Sequence, residues 1–251
     1  MTEHQNPMSI CLRLPAAIFL AGALLLAGCN NGDASSDKDA AAKPATDQAA
    51  ADKASSEDKA PEETTPIPGV PLGDIAEGPV DAPVTLIEFA SMTCPHCAAF
   101  QKDTYPLVKR DFVDTGKVRY IFREYPLDRF ALDASVFARC AGEDKYFAVV
   151  TQLFAEQAHW MPASGGEGAI KATEKRLVDD YGDKYGVTEE KYDHCLNNKP
   201  LRDHLANRME EARDRYDVNA TPTLVINGTK YTGSHTYADV AKAINDAMPK
   251  K

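Results

Sequence analysis

The sequence predicts an α/β domain whose sheet is interrupted by an inserted block of helices. Three observations lead there. Two apolar, β-branched runs, residues 84–89 and 118–122, flank a stretch of helical character. The next strand signal, residues 223–226, comes only about a hundred residues later, and a connection of that length with helical periodicity is a subdomain, not a loop. That strand then passes through Asn227-Gly228, the favoured pair for a two-residue hairpin, into a returning strand at 229–231.

Taken in order, residues 67–83 are polar and rich in Pro and Gly, and are expected to run over the surface with a short edge strand near 71–75. The first strong strand, 84–89, is followed by a helix from about Cys97. Pro106 should kink that helix by its missing N–H and ring clash. It resumes through Leu107, Val108, Phe112 and Val113 and ends near Gly116. Strand 118–122 then closes a βαβ unit with the first. Helices are expected at 131–141, 146–155, 169–181, 188–196 and 201–216, with Thr188 as an N-cap and Glu189 and Glu190 in the first turn. The last helix starts near Thr236, with Asp239 at capping-box spacing, and Val240, Ala243, Ile244 and Ala247 form its buried face. The domain so defined covers 67–251, with the helical insertion at about 126–216.

The chain has 251 residues, 43% of them hydrophobic, which is enough for an ordinary core. Its net charge of −10 and the lack of any basic block argue against a nucleic-acid partner. At the N-terminus, Arg13 precedes an uncharged run, 14–27, too short for a comfortable membrane span but suited to a secretory signal. Met8 offers an alternative start with a shorter n-region, free of Glu3. The run ends in Leu26-Ala27-Gly28-Cys29, which resembles the bacterial lipoprotein box. That resemblance implies removal of 1–28 and lipidation of Cys29; a plain cleaved signal and an uncleaved anchor are the alternatives. Residues 30–66 change to Ala, Asp, Lys, Ser, Glu, Thr and Pro, too poor in apolar side chains to offset the entropy of ordering. With Cys29 they read as a tether, 29–66, whose coil reach is roughly 30–40 Å.

The chemistry lies in Cys94-Pro95-His96-Cys97, at the end of the first strand and the start of the helix. A thiol near a helix N-terminus has its thiolate stabilised by unpaired N–H groups and the dipole. The second thiol, one turn on, can attack a mixed disulfide formed on the first. A lone Cys-x-x-Cys can also be half of a zinc site, but no second pair or spaced histidine pair completes one. The six cysteines are Cys11, Cys29, Cys94, Cys97, Cys140 and Cys195. If Cys11 leaves with a signal and Cys29 is lipidated, four thiols remain, an even number suited to an oxidising compartment. Cys140 and Cys195 fall on apolar faces of separate inserted helices, either as two inert buried thiols or, as that compartment favours, a disulfide.

A second signal is Thr221-Pro222, immediately before a strand. Together with Cys-Pro-His-Cys, the inserted helices and the closing hairpin and helix, it resembles the thioredoxin superfamily, in its DsbA-like branch, over about 84–247. The resemblance implies a thioredoxin-like fold with an inserted helical subdomain, and a cis Pro222 facing the cysteines. It makes Cys94 the nucleophile and Cys97 the resolving thiol. Pro95 and His96 become the dipeptide that sets redox character, and Thr221 and Pro222 the backbone that an extended substrate pairs with. Glu88 matches the position of a buried acid that relays a proton to or from Cys97; the plain alternative is a half-exposed strand glutamate. Arg123 or Glu124 is its candidate partner, with nothing in the pattern to favour either.

The implied activity is a thiol–disulfide oxidoreductase of DsbA type on the periplasmic face of a membrane, a monomer anchored through Cys29. It needs no metal or organic cofactor. Its substrates would be reduced exported proteins, and a membrane thiol reoxidase of DsbB type would restore it. An isomerase or reductase of the same superfamily is the nearest rival, and a non-catalytic, chaperone-like lipoprotein the distant one. His159-Trp160-Met161 matches no motif and is read as core or edge packing.

Overall fold

The computed structural model describes residues 65–250. The expected signal, Cys29 and nearly all of the tether therefore lie outside the described residues.

Strand β2 (Val84–Ala90) pairs in parallel with β3 (Val118–Glu124), in a register that sets Glu88 opposite Phe122. On its other side β2 pairs antiparallel with β4 (Thr223–Ile226), which continues through Asn227-Gly228 into β5 (Thr229–Lys230). Asn227 and Gly228 both adopt positive φ, as the tight hairpin requires. The outer strand β1 (Ile75–Glu77) runs antiparallel to β3, giving the order β1-β3-β2-β4-β5. It lies later than the edge strand expected at 71–75. Arg139 takes the carbonyls of Pro71 and Gly73, at 2.7 and 3.2 Å, so strand pairing begins only at Ile75.

Both faces of the sheet are covered. Leu86, Tyr120, Phe122 and Leu224 join the larger core, whereas Ile87, Phe89, Ile121 and Val225 pack with Ala212 and Tyr216. This period-two division places Glu88 on the Leu86 face, under the helix that follows β2. That helix begins as α1 (Pro95–Ala99), two residues earlier than expected, and reaches Val113 through two π-helical turns, Phe100–Thr104 and Lys109–Val113, around α2 (Tyr105–Val108). Pro106 has no N–H to continue the ladder. The preceding Tyr105 N–H reaches back five residues to Phe100, and the wider turn absorbs the proline.

Between β3 and β4 lie α3 (Arg129–Cys140), α4 (Glu143–Ala155), α5 (Gln157–Trp160), α6 (Glu167–Tyr185), α7 (Glu189–Asn197) and α8 (Lys199–Tyr216). Thr188 caps α7 by accepting from Lys191 N–H. In α9 (Tyr237–Asp246) Thr236 accepts from Asp239 N–H, while the Asp239 carboxylate takes the Thr236 hydroxyl instead of closing a capping box. Val240 and Ile244 are buried there, and Ala243 and Ala247 only partly. The insertion is tied to β3 by a buried ion pair: Arg139 on α3 grips Glu124 with two nitrogens, at 2.6 and 2.8 Å.

Candidate active site

Cys94 follows the end of β2 and is the N-cap of α1, extended at φ −78° and ψ 120°. Pro95 occupies the first helical turn, where a missing N–H is harmless and the fixed φ suits the helix. The Cys94 Sγ accepts the Cys97 N–H at 3.4 Å and lies 3.4 Å from the Thr221 carbonyl oxygen. Hydrogen bonding from the Cys97 thiol, aided by Thr221 and the Cys97 and His96 amides, outweighs burial and holds the Cys94 thiol down to about 5. Cys97 is completely buried, and burial first, then Cys94 and Glu88, pushes its thiol far upward. Pro95 and His96 are exposed on the rim. The site therefore holds one thiolate-prone sulfur and one protected thiol.

The peptide bond Thr221–Pro222 is cis, and the Thr221 carbonyl lies against Cys94. Between this loop, α1 and the segment before α9 runs a groove of about 660 Å³, lined among others by His96, Phe100, Pro222, His235 and Tyr237. Thr104 donates to the His235 carbonyl at 2.8 Å and holds the far wall.

Glu88 is fully buried beneath the cysteines' helix, not half-exposed. Burial pushes its carboxyl up to about 8, against the lowering effect of hydrogen bonds from Tyr120 and Gln101. Both donors use the same oxygen: Gln101 Nε2 at 2.6 Å and the Tyr120 hydroxyl at 2.5 Å reach Oε2, while Oε1 is buried with no hydrogen-bond partner. Neither Arg123 nor Glu124 is the partner. Arg123 points to the opposite face of β3 and pairs with Asp74, and Glu124 is taken by Arg139 and the Tyr146 hydroxyl. Tyr120 and Gln101 were not apparent from sequence, although the i, i+4 spacing of Cys97 and Gln101 places them on one helix face.

Cys140 and Cys195 are bonded, S–S 2.00 Å and Cα–Cα 6.1 Å, joining α3 to α7. Cys94 and Cys97 are not bonded to each other. Trp160 is wholly buried and donates its indole N–H to the Leu153 carbonyl at 2.7 Å, so it packs in the core.

The family model that matches the chain, described as thioredoxin, spans residues 72–246. A Rickettsia conorii protein with the provisional name protein-disulfide oxidoreductase is 27% identical over 179 residues, which are 71% of this chain and 61% of that protein. The chain thus spans only about three fifths of that relative's length. The structure of Wolbachia pipientis alpha-DsbA1 superposes with TM-score 0.61 at 26% identity, covering 72% of this chain and 92% of that one. A structure titled protein-disulfide isomerase from Novosphingobium aromaticivorans gives TM-score 0.61 at 25% identity, covering 69% and 96%. With the family model spanning most of the chain and alpha-DsbA1 alike in sequence and fold, the chain belongs to the thioredoxin family, among its DsbA-like members.

Proposed function

We propose that the protein is a thiol–disulfide oxidoreductase acting as an oxidant of exported proteins through a Cys94–Cys97 disulfide. One observation carries the direction: Cys94 is the N-cap of α1 and its sulfur accepts the Cys97 N–H, an arrangement that stabilises the thiolate of the reduced site and lowers the Cys94 thiol to about 5. Stabilising the reduced form makes the corresponding disulfide the stronger oxidant. A substrate thiolate attacks Cys94 Sγ, the Cys94–Cys97 bond breaks, and the sulfur of Cys97 leaves with the electron pair. Glu88, neutral at working pH, supplies the proton that Cys97 takes up in its buried position. A second substrate thiolate then attacks the substrate sulfur of the mixed disulfide and releases Cys94 as thiolate. Two electrons have passed to the protein, and the substrate leaves with a disulfide.

The Thr221-Pro222 loop and the groove beside it are the surface on which an extended substrate backbone would lie. His96 borders both the sulfur and the groove, and with Pro95 it tunes the redox character. Reoxidation falls to a membrane thiol reoxidase of DsbB type, and the working form is a monomer. Placement on the periplasmic face, anchored through a lipidated Cys29, is supported by the lipoprotein-box residues 26–29. No helix of the described residues is long and apolar enough to cross a membrane.

The test is the redox equilibrium against glutathione, together with mass spectrometry of mixed disulfides trapped on Cys97→Ala. Oxidase action requires a disulfide more oxidising than glutathione and trapped partners bonded through Cys94. A strongly reducing couple, with Cys94 titrating at its ordinary value, would instead establish a reductase.

A further inference from the structure

Helix α4 ends at Ala155, with Glu156 as its C-cap, and the chain restarts as the four-residue α5. This short helix is fastened from several sides. Trp160 is sunk in the core, the Tyr181 hydroxyl donates to Glu156 at 2.8 Å, and His159 pairs with Asp180 at 2.9 Å. Arg176 donates to the carbonyls of His159 and Trp160 at 3.0 and 3.3 Å. Gln157 therefore projects from a fixed origin, and its Nε2 donates to the carbonyls of Met92 and Cys94, at 2.8 and 3.1 Å.

Those carbonyls flank Thr93, whose hydroxyl donates at 2.7 Å to Asp128, the N-cap of α3. The residue before the reactive cysteine is thus held by its side chain to α3, and on both sides of its main chain to α5. Both anchors belong to the helical insertion. The Cys94 carbonyl also accepts the first bond of the active-site helix, from Ala98 N–H at 3.1 Å. The Gln157 bond consequently restrains the very residue whose extended conformation aims Sγ at the Cys97 N–H.

We propose that Gln157 is a positioning residue for Cys94: from the inserted helices it fixes the N-cap geometry in which the sulfur receives its thiolate-stabilising hydrogen bonds. This rests on the reading of Cys94 as the attacking thiol. Without the clamp, the loop 92–94 samples orientations in which Sγ no longer meets the Cys97 amide, and the thiolate loses its advantage over the thiol.

The test is Gln157→Met, which keeps length and volume and removes both donors; Gln157→Ala removes the same donors and serves where the Met variant does not fold. The Cys94 titration is read from thiolate ultraviolet absorbance in the reduced full-length protein. Thiolate formation should be about tenfold weaker, one unit of pKa, and the glutathione equilibrium should become less oxidising by a similar factor. The Cys140→Ala/Cys195→Ala double variant is the control: it destabilises the insertion without touching the clamp and should leave the Cys94 titration in place. A Gln157→Met titration superimposable on the parent's, or an equal shift in the control, overturns the proposal. Failure of the underlying reading looks different: the low-pH titration would then survive in Cys94→Ser.

Discussion

Glu88→Gln should make the protein more stable, and by an amount that depends on pH. The carboxyl is completely buried, with a folded-state value of about 8 against an ordinary 4.5. The folded chain therefore holds a proton that the unfolded chain releases across that window. Stability from a group raised in this way is fully present below the unfolded value and is lost as pH climbs toward the folded one. Each pH unit inside the window withholds about 1.4 kcal/mol, so a neutral isostere should gain roughly 3 kcal/mol at about pH 7 and almost nothing at about pH 4. Gln retains an oxygen for Tyr120 and Gln101 to donate to, and its amide occupies the place of the unpartnered Oε1. Urea unfolding of the disulfide form at a series of pH values measures the difference without a Cys94 thiolate nearby. The same variant should release Cys97 more slowly from the Cys94–Cys97 disulfide under attack by a substrate thiolate, because the proposed proton donor is gone. A stability gain that does not change with pH would refute the reasoning, since it would mean that Glu88 ionises as freely in the folded chain as outside it.

Two further perturbations separate architecture from chemistry. Opening the Cys140–Cys195 bond in the double Ala variant releases a loop of 55 residues, and should remove about 4 kcal/mol in the chain-entropy model while leaving exchange at Cys94 nearly intact. Equal loss of exchange and stability in that variant would contradict the division. Arg139→Met leaves the Glu124 carboxylate buried without its guanidinium and should destabilise by roughly 3–5 kcal/mol, with most of the loss recovered when Glu124→Leu is added. Urea midpoints of the single and double variants decide it; a single variant as stable as the parent would show that the pair contributes nothing.

Much of the site was legible because its signals are local. Val84 to Phe89 carries its strand character in β-branched residues, and the position of Cys94 at a strand–helix junction follows from that boundary alone. Thr188 likewise announces the start of α7 by its own chemistry. What escaped depends on contacts between distant segments. Tyr120 lies in an apolar strand and reads as an ordinary core aromatic, yet its hydroxyl is one of two donors to Glu88. Gln101 reads as a surface residue on a helix of ordinary pitch, but it is buried on a π-helical turn. Arg139 looks like one more charge on a helix; its reach to Pro71, Gly73 and Glu124 displaced β1 from its expected place and removed Glu124 as a partner for Glu88. Gln157, beside the unassigned His159-Trp160, had no sequence signal at all, because its partners are main-chain carbonyls.

The bond between α3 and α7 places a condition on how the molecule comes into being. Its two sulfurs are sealed from solvent, at 0% exposure, and 55 residues separate them along the chain. Nothing that approaches the finished fold from outside can reach them, including the Cys94 of a neighbouring molecule. The bond therefore forms while α3 and α7 are apart and both sulfurs are open to an oxidant. A protein proposed to give disulfides to others thus carries one that it must itself be given while the chain is open.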